Sequence, residues 1–163
     1  MFSSQALALA TMVLEMSREA GIQVSTAESC TGGLIAGCLT AIAGSSDVVD
    51  RGFVTYTNEA KNQMLGVPLE LFSSVGAVSE EVARAMAEGA IANSSSSLSV
   101  SVTGVAGPGG GTETKPVGLV HMAAGRSGRD TLHERHLFPG DRTQVRDATV
   151  ISALSLLIKS LDQ

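Results

Sequence analysis

The stretch GIQVSTAESCTGGLIAGCL, residues 21–39, predicts a strand, a tight turn and a helix in immediate succession. Its apolar start is typical of a strand, and a pair of glycines separates that strand from a helix of small apolar residues. The turn exposes Ser29, Cys30 and Thr31 at the edge of a sheet, and it aims the free N–H groups of the helix start at whatever binds there. Most strand-to-helix turns do no chemistry, so the pattern alone leaves a catalytic role open.

Outward from this stretch, helix and strand patterns alternate, and a hairpin pattern follows near the end. The predicted helices cover residues 3–20, 34–42, 59–66, 80–93 and 141–161, and the predicted strands cover 22–27, 48–57, 98–103, 117–124 and 130–138. Asn58 and Ser79 are the expected helix caps, and Asp141 with Gln144 resembles a capping box. We expect one domain over residues 1–163, an α/β fold built as a three-layer α/β/α sandwich with a mixed, partly parallel sheet.

Composition indicates a compact globular protein, with 44% apolar and 17% charged residues among 163. The net charge is −5 and no basic cluster is longer than a pair, which argues against nucleic-acid binding driven by phosphate neutralisation. No apolar run approaches the length of a membrane span, and the N-terminus does not resemble a secretion signal. We therefore expect a soluble cytoplasmic protein with neither nucleic acid nor membrane as a partner.

The cysteine pair agrees with a reducing compartment. Cys30 and Cys38 are eight residues apart, and we place them about 12 Å apart along one helix, which is too far for a disulfide. Two reduced cysteines are typical of a cytoplasmic protein.

Metal ligation has little support in the sequence. His133 and His136 are three residues apart in a predicted strand, so they point to opposite faces and cannot chelate one ion together. His121 stands alone, and neither an HExxH nor a CxxC motif appears. We expect neither a metal ion nor another cofactor.

Nucleophilic catalysis by Ser29 requires a base, because a serine hydroxyl is otherwise a weak nucleophile. Lys61 is the better-placed candidate, provided that burial or a neighbouring cation such as Arg51 lowers its pKa enough to leave it neutral. Tyr56 could relay protons or orient the lysine. Spacing alone favours more ordinary roles, with Lys61 as a solvated helix residue and Tyr56 as a half-buried strand aromatic.

A glycine-rich loop, GVAGPGGGTETKP at 104–116, has the composition of an anion-binding nest. It is not a P-loop, since no Gly-Lys-Ser/Thr follows, and it lacks the strand-loop-helix context of a dinucleotide site. A plain long turn is the alternative. Arg142, at the start of the last helix, could hold a phosphate with its guanidinium or could be an ordinary surface residue.

The last helix carries apolar residues on more than one face. Its main stripe comprises Val150, Ala153, Leu154, Leu157, Ile158 and Leu161. Ile151 and Leu156 lie off that stripe, which suggests burial on two sides and a homo-oligomer. The alternative is that the first helix covers the second face within the same chain.

Four segments together resemble the CinA C-terminal domain family, which includes stand-alone nicotinamide-nucleotide amidohydrolases. They occur in the family's order over nearly the whole chain. The segments are TAESCTGG at 26–33, GFVTYTNEAKNQMLGV at 52–67, GAVSEEVARAMAEGA at 76–90 and SVTGVAGPGGGTETKPVGLVHMA at 101–123.

The resemblance implies a metal-free amidohydrolase that converts nicotinamide mononucleotide to nicotinate mononucleotide and ammonia. The family's serine falls on Ser29, its lysine on Lys61 and its tyrosine on Tyr56, which together would form the catalytic set. The substrate-binding residues that it implies are Thr103, Gly104, Gly107, Gly109, Gly110 and Arg142. We also expect Cys30, Thr31, Gly32 and Gly33 to bind the substrate, with N–H groups of this stretch stabilising the oxyanion. The alternative is a non-catalytic nucleotide-binding or regulatory module associated with competence or damage responses.

Overall fold

The computed structural model describes residues 2–163. It contains a five-stranded sheet with helices on both faces. The elements, in chain order, are α1 Ser4–Glu19, β1 Val24–Glu28, α2 Leu34–Thr40, a short 3-10 helix Ser45–Asp47, β2 Val49–Val54, α3 Asn58–Leu65, α4 Leu69–Ser74, α5 Glu80–Ala92, β3 Leu98–Gly104, β4 Leu119–Arg126, β5 Leu132–Leu137 and α6 Arg142–Leu161.

The sheet has the strand order β2-β1-β3-β4-β5. β1 pairs in parallel with β2 and β3, whereas β4 and β5 continue the sheet antiparallel. The larger core joins α1, α2 and α6 to one face, and a second cluster joins α3 and α5 to the other. The predicted three-layer α/β/α sandwich with a mixed sheet is confirmed.

The boundaries differ from the sequence prediction around β2. This strand ends at Val54, three residues early, because the chain leaves the sheet to enter α3. Thr57 is the N-cap in place of Asn58, and its hydroxyl accepts a hydrogen bond from the backbone N–H of Ala60 at 3.1 Å. α4, which the sequence analysis did not anticipate, begins directly after Pro68. The predicted cap at Ser79 and the capping box at Asp141 are confirmed.

Both cysteines are free and buried. Cys30 lies in the turn after β1, however, and only Cys38 lies in α2. The expectation that one helix carries both is therefore wrong, because the two glycines delay the start of α2 until Leu34. Among residues 2–163, no helix combines the length and the apolar character that crossing a membrane requires.

The second apolar face of α6 is covered within the chain. Leu156 is buried in the same core cluster as Ala10, Val13 and Leu14 of α1, and Ile151 packs against that cluster from its edge. The alternative explanation for this face is thus the one that the structure supports. A homo-oligomer stays a prediction, but this helix no longer argues for it.

The hairpin β4–β5 pairs two histidines that the sequence separates. His133 and His136 do point to opposite faces, as predicted, with His133 beside Glu80 and His136 stacked on Phe138. The expectation that His121 stands alone is wrong, because its Nδ1 lies 3.0 Å from Nε2 of His133 and the rings stack at a centroid distance of 5.2 Å. The register between β4 and β5 brings His121 and His133 together, and the sequence around either histidine does not predict that register.

We predict that this histidine pair makes the fold sensitive to mild acid. Burial, with the nearby His133, Arg135 and Lys115, lowers the pKa of His121 to about 4, and burial also lowers that of His133. An unfolded histidine protonates near pH 6.5. Stability is therefore full above that pH and falls as the pH drops toward 4, because the unfolded chain takes up protons that the folded chain resists.

Urea unfolding at pH 7.5 and pH 5 measures the effect. We expect His121→Gln to reduce the acid-induced loss of unfolding free energy by about 1 kcal/mol, discounted for partial exposure. An equal loss in wild type and variant would contradict the assignment.

Candidate active site

Two glycines give the turn after β1 its shape. Gly32 has φ 61° and Gly33 has φ 100°, both in the left-handed region that residues with a Cβ rarely adopt. The chain can therefore reverse within a few residues of Glu28 and enter α2 at Leu34. Ser29 is left at the carboxyl end of β1, with its backbone N–H bonded to the carbonyl of Val102 at 3.1 Å.

Lys61 reaches Ser29 from α3. Its Nζ donates to Ser29 Oγ at 3.0 Å and to the carbonyl of Thr55 at 3.0 Å. The side chain is only 2% exposed, so the ordinary interpretation of a solvated helix lysine is wrong. The structure thus brings together the two residues that the sequence singled out as nucleophile and base.

Burial is the main cause that lowers the pKa of Lys61 from its usual range. Arg51, considered above as a possible helper, instead pairs with Asp50 at 2.8 Å and donates to the carbonyl of Asn93. Desolvation disfavours the ammonium form, because a charge loses more solvation than a neutral amine does. A lysine in this position can accept a proton from a neighbouring hydroxyl.

Cys30 is a second possible nucleophile, because it carries a thiol one residue after Ser29, and it is buried. Its burial raises the pKa of the thiol to about 11. The thiolate is the reactive form of cysteine, so a thiol held protonated is a poor nucleophile near neutral pH. The local chemistry favours Ser29.

Glu28 is a site component that the sequence analysis missed. It is fully buried, and its carboxylate accepts five hydrogen bonds, two at Oε1 and three at Oε2. The donors are Thr26 Oγ1 at 3.1 Å, Thr31 Oγ1 at 2.6 Å and the backbone N–H groups of Gly33 at 3.0 Å, Ile35 at 3.0 Å and Ala36 at 2.8 Å. A glutamate directly before the SCTGG turn was the available signal, since negative charge is favoured at helix starts.

These bonds correct the expectation that the start of α2 faces a ligand. Its N–H groups are already taken by Glu28. The N–H of Gly32 is taken as well, by the carbonyl of Ser29 at 3.1 Å. Within residues 2–163, no carbonyl or carboxylate oxygen accepts from the N–H groups of Cys30 and Thr31. Both of these residues are buried.

Arg142 connects Tyr56 to the glycine-rich loop. Its Nη2 donates to the Tyr56 hydroxyl at 2.8 Å, and its Nη1 donates to the carbonyl of Gly107 at 2.8 Å. Tyr56 follows β2 and is 58% exposed, so the interpretation as a half-buried strand aromatic is wrong. Among the described residues no hydrogen bond joins Tyr56 to Lys61, so the suggestion that Tyr56 orients the lysine gains no direct contact.

The glycine-rich loop leaves β3 and returns into β4, without a helix behind it, as expected. Thr103, near the end of β3, turns its hydroxyl to the carbonyl of Ala77 at 2.8 Å, and Gly104 ends the strand. Gly107 and Gly110 both have positive φ, near 83° and 82°. The space around Gly109 is open, since no atom lies within 4 Å of where its Cβ would be.

Arg146 is a second component that the sequence analysis missed. It lies one helical turn after Arg142 on α6, a spacing that could have revealed it. Its Nη2 donates to the carbonyl of Thr31 at 3.0 Å, and its buried Nε has no hydrogen-bond partner within the described residues. Two guanidinium groups from one helix therefore reach the turn at residues 29–33 and the Tyr56 side of the site.

Known proteins resemble this chain in both sequence and fold. Residues 6–161 match the CinA C-terminal domain family. The nicotinamide-nucleotide amidohydrolase PncC of Pseudomonas putida is 51% identical over 93% of this chain and 94% of its own length. A CinA-like protein of Citrifermentans bemidjiense is 53% identical over 88% of this chain. The chain spans only 34% of that relative, and 37% of a competence-damage inducible protein from Caldicellulosiruptor bescii.

Solved structures give the same result. The competence/damage inducible protein CihA of Agrobacterium tumefaciens superposes with a TM-score of 0.97 at 52% identity, covering 100% of this chain and 99% of that one. The competence damage-inducible protein A of Klebsiella pneumoniae superposes with a TM-score of 0.92 at 35% identity, covering 97% and 98%. The chain belongs to the CinA C-terminal domain family.

Proposed function

We propose that this protein is an amidohydrolase that converts nicotinamide mononucleotide to nicotinate mononucleotide and ammonia, acting in the cytoplasm. The observation that carries the proposal is the buried Lys61 Nζ, 3.0 Å from Ser29 Oγ at the end of β1. The named activity of the Pseudomonas putida relative, which matches over nearly its full length, supports the substrate.

In the proposed reaction, Ser29 Oγ attacks the carboxamide carbon while neutral Lys61 takes the hydroxyl proton. The N–H groups of Cys30 and Thr31 donate to the oxyanion, and one donor of this kind contributes about 3–4 kcal/mol. The Lys61 ammonium then protonates the leaving nitrogen, and ammonia departs. Water, deprotonated by Lys61, hydrolyses the acyl-enzyme and restores Ser29.

The proposed substrate site surrounds this pair. Arg142 and Arg146 supply the positive charge that a phosphate requires, and guanidinium groups match phosphate oxygens in geometry. Tyr56 keeps a place in the site through its bond to Arg142, where it orients a substrate-binding guanidinium. The rest of the proposed binding set comprises Cys30, Thr31, Gly32, Gly33, Thr103, Gly104, Gly107, Gly109 and Gly110. Gly32, Gly33 and Thr103 would contact the substrate without donating to it, because the Gly32 and Gly33 N–H groups and the Thr103 hydroxyl already bond within the protein.

Ammonia release from nicotinamide mononucleotide by the purified protein tests the function. A steady release that scales with protein concentration supports the enzyme. Ligand binding without any turnover would instead favour the non-catalytic nucleotide-binding module.

Replacing Ser29 with alanine should abolish turnover while leaving the fold intact. We expect Ser29→Ala to lower kcat at least a thousandfold, roughly 4 kcal/mol, because no covalent intermediate can form. The matched control is Cys30→Ser, which should keep most of the activity, since the Cys30 thiol is protonated. Near-normal rates in Ser29→Ala, or inactivity confined to Cys30→Ser, would reassign the nucleophile.

The base is tested by replacing Lys61. Lys61→Ala removes the proton acceptor, and Lys61→Arg should also fail, because a guanidinium does not give up its proton. In the wild type, kcat should rise with pH through the lowered pKa of Lys61. Substantial activity in Lys61→Arg would eliminate a neutral-lysine mechanism.

We also predict that the reaction needs no metal ion. Incubation with EDTA, followed by an ammonia assay with and without added divalent cations, should leave kcat unchanged. Loss of activity that a divalent ion restores would contradict the proposed Ser29–Lys61 chemistry.

A further inference from the structure

Glu28 is a buried charge with no part in the proposed proton transfers. It is the last residue of β1, directly before Ser29, and it is fully buried. Its Oε2 accepts from the Thr31 hydroxyl and from the N–H groups of Gly33 and Ile35, and its Oε1 accepts from Ala36 N–H. One carboxylate thus binds both the turn and the first residues of α2.

The donors around Glu28 require a carboxylate. A backbone N–H can only donate, and a glutamine in the same place has an amide NH2 group that can only donate as well. If that NH2 replaced Oε1, it would face Ala36 N–H. If it replaced Oε2, it would face the N–H groups of Gly33 and Ile35. Either orientation leaves a buried donor without an acceptor.

We infer that Glu28 is the positioning residue of the nucleophile turn, residues 29–33, an inference that rests on the proposed amide hydrolysis. Its bonds hold the chain that follows Ser29 and Cys30, from Thr31 to Ala36, against the end of β1. The Ser29 hydroxyl is thereby held within reach of Lys61, and the N–H groups of Cys30 and Thr31 have no oxygen acceptor among the described residues. Because Glu28 occupies the start of α2, the phosphate of a mononucleotide has to bind elsewhere, at Arg142 and Arg146.

The test compares Glu28→Gln with Cys38→Ala. Cys38 is buried in α2, away from the turn, so its truncation weakens the packing of the same helix without touching the bonds of Glu28. We expect Glu28→Gln to lower kcat about a hundredfold with KM within about threefold, the size of effect that a small misplacement of reacting groups produces. Cys38→Ala should lower thermal stability and leave kcat unchanged. Equal kcat in the two variants would overturn the inference.

If circular dichroism shows that Glu28→Gln does not fold, the kcat of Thr26→Val tests the inference instead. It removes only the 3.1 Å bond from the Thr26 hydroxyl to Oε1. A fall in kcat of about threefold or more at unchanged KM supports the positioning role. An unchanged kcat overturns it.

A second measurement separates this inference from the choice of substrate. The rate at which a fluorophosphonate labels Ser29, followed by mass spectrometry, depends on the nucleophile, the base and the oxyanion donors but not on nicotinamide mononucleotide. We expect slow labelling in Glu28→Gln and wild-type labelling in Cys38→Ala. If the wild type is labelled but does not hydrolyse the mononucleotide, the proposed substrate is wrong. The labelling rates of wild type and Glu28→Gln then test the role of Glu28 on their own. A wild type that is neither labelled nor active would overturn both.

Discussion

The site depends on one constraint: β1 runs parallel to both of its neighbours, so three strands end at the same edge of the sheet. Glu28 pairs with Val54 at the end of β2 and with Val102 near the end of β3. The chain that follows each strand therefore starts from one place. These segments are the turn at residues 29–33 after β1, Thr55 and α3 after β2, and the glycine-rich loop after β3.

Burial lowers the pKa of Lys61 at this edge of the sheet. A charged ammonium loses its solvation in the interior, so the environment that excludes water also favours the neutral amine that can act as a base. The carbonyl of Thr55 accepts one Nζ hydrogen and fixes the direction of the side chain toward Ser29. Cys30 is buried as well, and its burial raises the pKa of the thiol, which therefore stays protonated. Desolvation thus separates the two neighbouring candidate nucleophiles.

Much of this arrangement could be predicted from the sequence, and what could not has a common cause. Strands, helices and helix caps are encoded by residues close together in the sequence. Their order along the chain therefore predicted the three layers and the mixed sheet. The depth at which Lys61 lies and the pairing of His121 with His133 depend on register and packing between distant segments, which no local pattern encodes. Glu28 and Arg146 were missed because charged residues are ordinarily exposed, and only the fold shows what they contact.

The central claim is that Lys61 is neutral where the protein works, and its titration tests that claim most directly. Selective 13C labelling of the lysine Cε atoms, assigned with Lys61→Arg, gives the pKa of Lys61 in the resting protein by NMR. We expect a midpoint below the usual pKa of lysine, about 10.4, because burial disfavours the ammonium form. A midpoint of Lys61 at or above that usual lysine pKa would contradict the claim.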